Sequence, residues 1–155
     1  MIFAQIHPMI VPFAVALLVV GVIFEFYGLL QKEESARIAG GFNIRLGLAF
    51  AVVAVILGFL GVISIADLFS ETDPRLSVEV KTQLSIFLSY HILFACSSVL
   101  IFILALIAWR YRQKTIGQIV YFSLLGIGLV TVLATGYFGG ELVHRFGLPS
   151  PVQAQ

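Results

Sequence analysis

Charge is what this sequence has least of. Asp, Glu, Lys and Arg make up only 11% of its 155 residues, against about 25% in a soluble domain, and mean hydropathy is +1.07. That deficit excludes a soluble globular fold. Cysteine is nearly absent: Cys96 stands alone, which excludes an intrachain disulfide framework. The net charge of +1 comes with no basic stripe, so no nucleic-acid partner is expected. No serine has a histidine and carboxylate pattern around it, and there is no glycine-rich phosphate loop. No cationic segment precedes the first apolar run, which is also longer than the core of a signal peptide. A retained first span is therefore expected.

Long apolar runs are what fills the chain, at 8–30, 44–66, 84–109 and 119–138. A span needs about 20 apolar residues to cross ~30 Å of hydrocarbon. The expectation is one domain over 1–155, an all-α integral membrane four-helix bundle, up-down-up-down. The charged segment 31–42, ending in Gly40-Gly41, reads as the first connection. The second, 67–83, has mixed charges, a turn signal at Asp73-Pro74 and room for a short interfacial helix; the third, 110–114, is short and basic. After His144 the chain carries Pro149 and Pro151 and reads as an irregular tail. Lys32, Arg37, Arg45, Arg110, Arg112 and Lys114 fall on one face, and Arg75, Lys81 and Arg145 on the other. Six against three makes the first face cytoplasmic and both termini non-cytoplasmic. Trp109, Tyr111 and Tyr137 stand where aromatic belts at the two interfaces are expected.

The three histidines all fall at one end of such a bundle. His7 precedes the first run, His91 lies early in the third and His144 follows the fourth. His91 sits about 10 Å inside its run at 1.5 Å per residue. An ionisable side chain at that depth faces the bundle interior or a cavity. It either hydrogen-bonds a neighbouring carbonyl or hydroxyl, or ligates a metal. His7, His91 and His144 are the candidate cofactor-binding residues, with His91 and His7 the candidate metal ligands. His7 and His91, on diagonal helices running the same way, would approach a haem from opposite sides, although their depths differ by roughly two turns. His91 with His144 is the alternative pair. Phe13, Phe87, Phe94 and the fourth-run glycines would line the pocket. Gly136 and Gly140 form a small-xxx-small pair, which serves close packing or leaves room for a flat ligand. Glu25, the one acid within a span, is expected to face the bundle or the cytoplasmic interface and pair with Arg45, with proton handling as the lesser alternative.

The segments IHPMIVPF from Ile6, AGGFNIRLGLAF from Ala39 and GYFGGELVHRFG from Gly136 resemble the domain-of-unknown-function 2231 family of predicted membrane proteins, over nearly the whole chain. The resemblance implies a four-span bundle of bacterial or archaeal membranes, often suspected of holding b-type haem near redox components. His7 and His91 match family histidine positions. Pro12 and Phe146 stand where the family commonly has histidines, and His144 stands at a tyrosine position. The expected function is a membrane-embedded haem b electron carrier in a bacterial inner or thylakoid-type membrane, with other redox membrane proteins as partners. Helices of a bundle can present imidazole inward as an axial ligand. The alternative is a cofactor-free accessory subunit of a respiratory or photosynthetic complex. A transporter comes third, because the spans hold few polar groups for a substrate path.

Overall fold

The computed structural model describes residues 2–66 and 76–148. They form four long α-helices, α1 (Ile2–Gln31), α2 (Glu34–Ser64), α3 (Val78–Trp109) and α4 (Thr115–His144). In lipid no water is available to backbone N–H and C=O groups, so an apolar run takes the form that satisfies them internally. Each helix is long and apolar enough to cross a bilayer. The protein is an all-α integral membrane protein. The Asp73-Pro74 turn, the residues from Asp67 to Arg75 and the tail prolines Pro149 and Pro151 lie outside the described residues.

All four helices start ahead of the apolar segments that announced them, and α2 ends at Ser64, two residues short of its run. α1 starts at Ile2, so Pro8 and Pro12 sit inside it, each withholding one N–H from the helix ladder. The segment 31–42 is not a loop. Lys32 takes a left-handed conformation, φ 57°, and the Glu33 N–H returns to the Gly28 carbonyl at 3.0 Å, a Schellman-type closure. α2 then starts at once with Glu34. Gly40 and Gly41 are buried within it because α1 passes too close for side chains. A Cβ on Gly40 would lie 2.8 Å from the Glu25 nitrogen and 2.9 Å from the Gly21 carbonyl oxygen. Ser77 caps α3 by accepting from the Val80 N–H at 3.3 Å, so residues 78–83, expected within the second connection, are its first turns.

α1 packs chiefly on α2 and α3 chiefly on α4. Lighter contacts join α1 to α4 and α2 to α3, which leaves α1 and α3 on a diagonal. The molecule is thus two helical hairpins set side by side. Leu18, Val22, Ile44, Phe102, Tyr121 and Leu125 make the buried core. Leu30, Ile63 and Val130 are among many large apolar side chains left outward-facing. Lipid tails are as apolar as these side chains, so the bundle is held by packing of small and shape-matched residues rather than by burying them from water.

Candidate functional site

Toward the end where α1 and α3 begin, the hairpins part around a cavity of about 430 Å³. Its wall is mostly small and aliphatic: Ala51, Ala54, Gly58, Gly136, Gly139 and Gly140 are among the lining residues, and among the described residues no carboxylate is. The Gly136 and Gly140 pair does not serve helix packing among the described residues, since an added Cβ would meet nothing within 4 Å at either. They leave space. Phe13, Phe87 and Phe94 are not in the wall. Phe13 is exposed and stacks on Phe50, while Phe87 and Phe94 pack on Phe138. All of these rings are too bulky for the close approach of α1 to α2, or of α3 to α4, and pack beside it.

His7 and His91 line this cavity together, their ring centroids 6.0 Å apart and their planes at 86°. The expected difference in depth does not separate them. α1 begins at Ile2 and α3 extends to Val78, so His7 lies within its helix rather than ahead of it. His7 Nδ1 lies 2.8 Å from the Ala54 carbonyl of α2, and His91 Nδ1 lies 3.1 Å from the Thr135 carbonyl of α4. A carbonyl only accepts, so each Nδ1 carries the proton and donates; each neutral ring keeps its lone pair on Nε2.

The same device holds both rings. One turn beyond each acceptor stands a glycine, Gly58 after Ala54 and Gly139 after Thr135. A Cβ on Gly58 would lie 3.0 Å from His7 Cε1, and one on Gly139 would lie 2.9 Å from His91 Cε1. Each imidazole therefore rests its Cε1 edge against its own hairpin partner, with hydrogen bond and glycine separated by four residues in both. Ser98, buried on α3, stands 3.5 Å from the Thr135 hydroxyl. Sequence reasoning missed Ala54, Gly58 and Thr135; it expected Gly139 in the wall among the fourth-run glycines, but not its contact with His91. The signal was present, because a histidine is followed by a glycine at a similar long separation in both halves.

His144 stands at the C-terminal end of α4, exposed at the cavity rim, and shares no ring contact with the other two. No group of three His, Cys, Asp or Glu residues gathers among the described residues. Glu25 faces the bundle as expected and is fully buried. No close ion pair joins it to Arg45, its expected partner, although the charge of Arg45 acts on it. Arg45 Nη1 donates to the Gly41 carbonyl at 3.0 Å, and neither carboxylate oxygen of Glu25 has a hydrogen-bond partner. Tyr121 is its neighbour in the core, its hydroxyl short of hydrogen-bond geometry. The Arg45 guanidinium instead lies over the Trp109 ring, 4.9 Å from its centroid, a cation–π contact.

The DUF2231 family, described as a predicted membrane protein, matches residues 4–150. The chain belongs to that family. No curated protein and no solved structure gives a significant match. The DUF2231 match spans both hairpins, so His7, His91, their carbonyl acceptors and their glycines all lie inside the family region.

Proposed function

We propose that the protein holds one b-type haem between α1 and α3, with His7 and His91 as axial ligands, and carries electrons within the membrane. The observation that carries this reading is the paired geometry. Two neutral imidazoles face across one cavity with both Nδ1–H groups tied to carbonyls and both Nε2 atoms left over. A hydrogen bond from the non-ligating nitrogen to a carbonyl is the usual support of a metal-bound histidine; it fixes tautomer and ring orientation and raises ligand basicity. A buried histidine satisfied merely as core needs one such bond, and does not call for a second, likewise anchored ring 6.0 Å away across the same cavity. The donor set fits haem iron, which takes two imidazoles in low-spin centres. The cavity volume falls within the roughly 300–1,000 Å³ of small-molecule sites.

Haem, when bound, supplies reversible one-electron redox chemistry. The chain's own residues do the rest. Ala54, Thr135, Gly58 and Gly139 fix the two rings, while the aliphatic wall keeps water away and holds the dielectric low, which tunes the potential. Cys96 and Ser98 share the cavity wall with the rings, but no carboxylate does among the described residues, which favours a carrier over a catalyst. The excess of basic residues at the opposite end supports a non-cytoplasmic position for the histidines, and redox membrane proteins would be the partners. His7→Ala and His91→Ala, each produced with ample haem, test the reading. Both variants are expected to insert, since packing holds the bundle, and to lose the low-spin b-type spectrum. Retention of that spectrum by either variant refutes the assignment.

A further inference from the structure

The end of the bundle remote from the histidines carries a second cavity. His7 and Glu25 are about 27 Å apart along α1 at 1.5 Å per residue, and this cavity lies at the Glu25 level, where Gly41 of its wall adjoins the Glu25 carboxylate. It measures about 220 Å³, and its wall is Arg37, Ile38, Gly41, Arg45, Trp109 and Arg112. Three guanidiniums, two from α2 and one from the turn after α3, border one small space.

The charges of all three act on the buried Glu25 carboxylate and Arg45 Nη1 donates to the Gly41 carbonyl, yet none of the three is in a hydrogen-bonded ion pair among the described residues. Glu34 is the carboxylate within ion-pair range among the described residues, 3.6 Å from Arg37 Nη1 and 4.0 Å from Arg112 Nη2. Both distances exceed the roughly 2.7–2.9 Å of a charge-assisted hydrogen bond, and the Glu34 side chain is 63% exposed. Glu25 stands behind Gly41 with both oxygens unpartnered. Arg37 Nε is buried and unbonded. The guanidiniums of Arg45 and Arg112 lie 4.9 and 4.4 Å from the centroid of the same indole, that of Trp109. Cation–π contact holds each guanidinium over the ring and leaves in-plane N–H donors for another partner. Two like charges held on one ring repel, and an anion between them removes that repulsion.

We propose that this cavity is an anion site that takes a phosphate group, supplied by an anionic lipid headgroup or by a soluble phosphate compound. Guanidinium forks match tetrahedral oxyanions with paired hydrogen bonds, and three of them around about 220 Å³ suit one such group. The place fits as well. Basic pockets between membrane helices near the interface are where phosphorylated headgroups dock, and tryptophan marks that depth.

Trp109 is the chain's one tryptophan, so its emission reports on the site. Protein produced without added haem is used, so the outcome does not depend on the His7 and His91 reading. It is reconstituted in nanodiscs of phosphatidylcholine, alone or with phosphatidylglycerol, and the former are also titrated with inorganic phosphate against chloride of equal ionic strength. A saturable emission change is expected in at least one arm. Response to phosphatidylglycerol alone assigns a headgroup, and response to inorganic phosphate assigns a soluble ligand. Arg45→Gln and Arg112→Gln should each raise half-saturation about tenfold, the loss of one charge-assisted hydrogen bond. Lys114→Gln, at the same end but outside the wall, should not. No saturable change in either arm, or a change that both arginine variants leave intact, overturns the site.

Discussion

His91 is the residue on which most depends, and its environment separates it from His144. His91 is 9% exposed and anchored to the Thr135 carbonyl, whereas His144 stands exposed at the end of α4. His144→Ala should therefore keep the b-type spectrum that His91→Ala loses; spectra of the two purified variants decide it, and equal loss would bring His144 into the site. Glu25 invites the opposite kind of test. The ion pair read from its sequence context would make Glu25→Gln destabilising. A buried carboxylate without a hydrogen bond instead carries a desolvation cost that a neutral amide lowers. Glu25→Gln should leave the thermal midpoint in detergent unchanged or raise it, and a drop of several degrees would restore the ion pair. His91 was legible because one histidine inside an apolar run has few reasons to be there. Which way Arg45 turns was not, since that depends on the Trp109 face that a distant turn of chain brings alongside.

Among the elements, the glycines divide into those that let helices touch and those that leave room. Gly40 meets α1 backbone at 2.8 Å, while Gly140 meets nothing. Gly40→Ala should cost about 1–3 kcal/mol through overpacking. Gly140→Ala should be neutral or slightly stabilising, because alanine favours helix over glycine by roughly 0.5–1 kcal/mol. Comparative unfolding of the two variants tests this, and equal effects would contradict it. Gly139→Ala falls between: its methyl would press on the His91 ring at 2.9 Å. The fold should survive while haem retention weakens, on the order of ten- to a hundredfold as when the support of a metal ligand is disturbed. Hydropathy marked the four helices but not their ends. It averages over a window and cannot see the left-handed Lys32 that reverses the chain, nor that Gly40-Gly41, usually a turn signal, is here a contact surface between two helices. The pairing of each histidine with a carbonyl and a glycine on the next helix was written in both halves, yet it becomes visible only when the hairpins are folded.

For the whole molecule, two hairpins each present one held imidazole to a shared cavity, and the basic residues collect at the other end. The charge asymmetry predicts that the turn after α3 faces the cytoplasm. In a Cys96→Ser background, Gln113→Cys, exposed in that turn, should be labelled by a membrane-impermeant thiol reagent only after the cytoplasmic side is opened; labelling of intact cells would reverse the topology. The central claim is that the cavity between His7 and His91 binds haem. The most direct measurement is the reduced-minus-oxidised spectrum, with haem quantified per chain, of wild-type protein purified in mild detergent after production with ample haem. The account predicts sharp low-spin b-type bands and about one haem per chain, as two histidine ligands to one iron require. A colourless, folded, correctly inserted protein would contradict it and leave the accessory-subunit reading in its place.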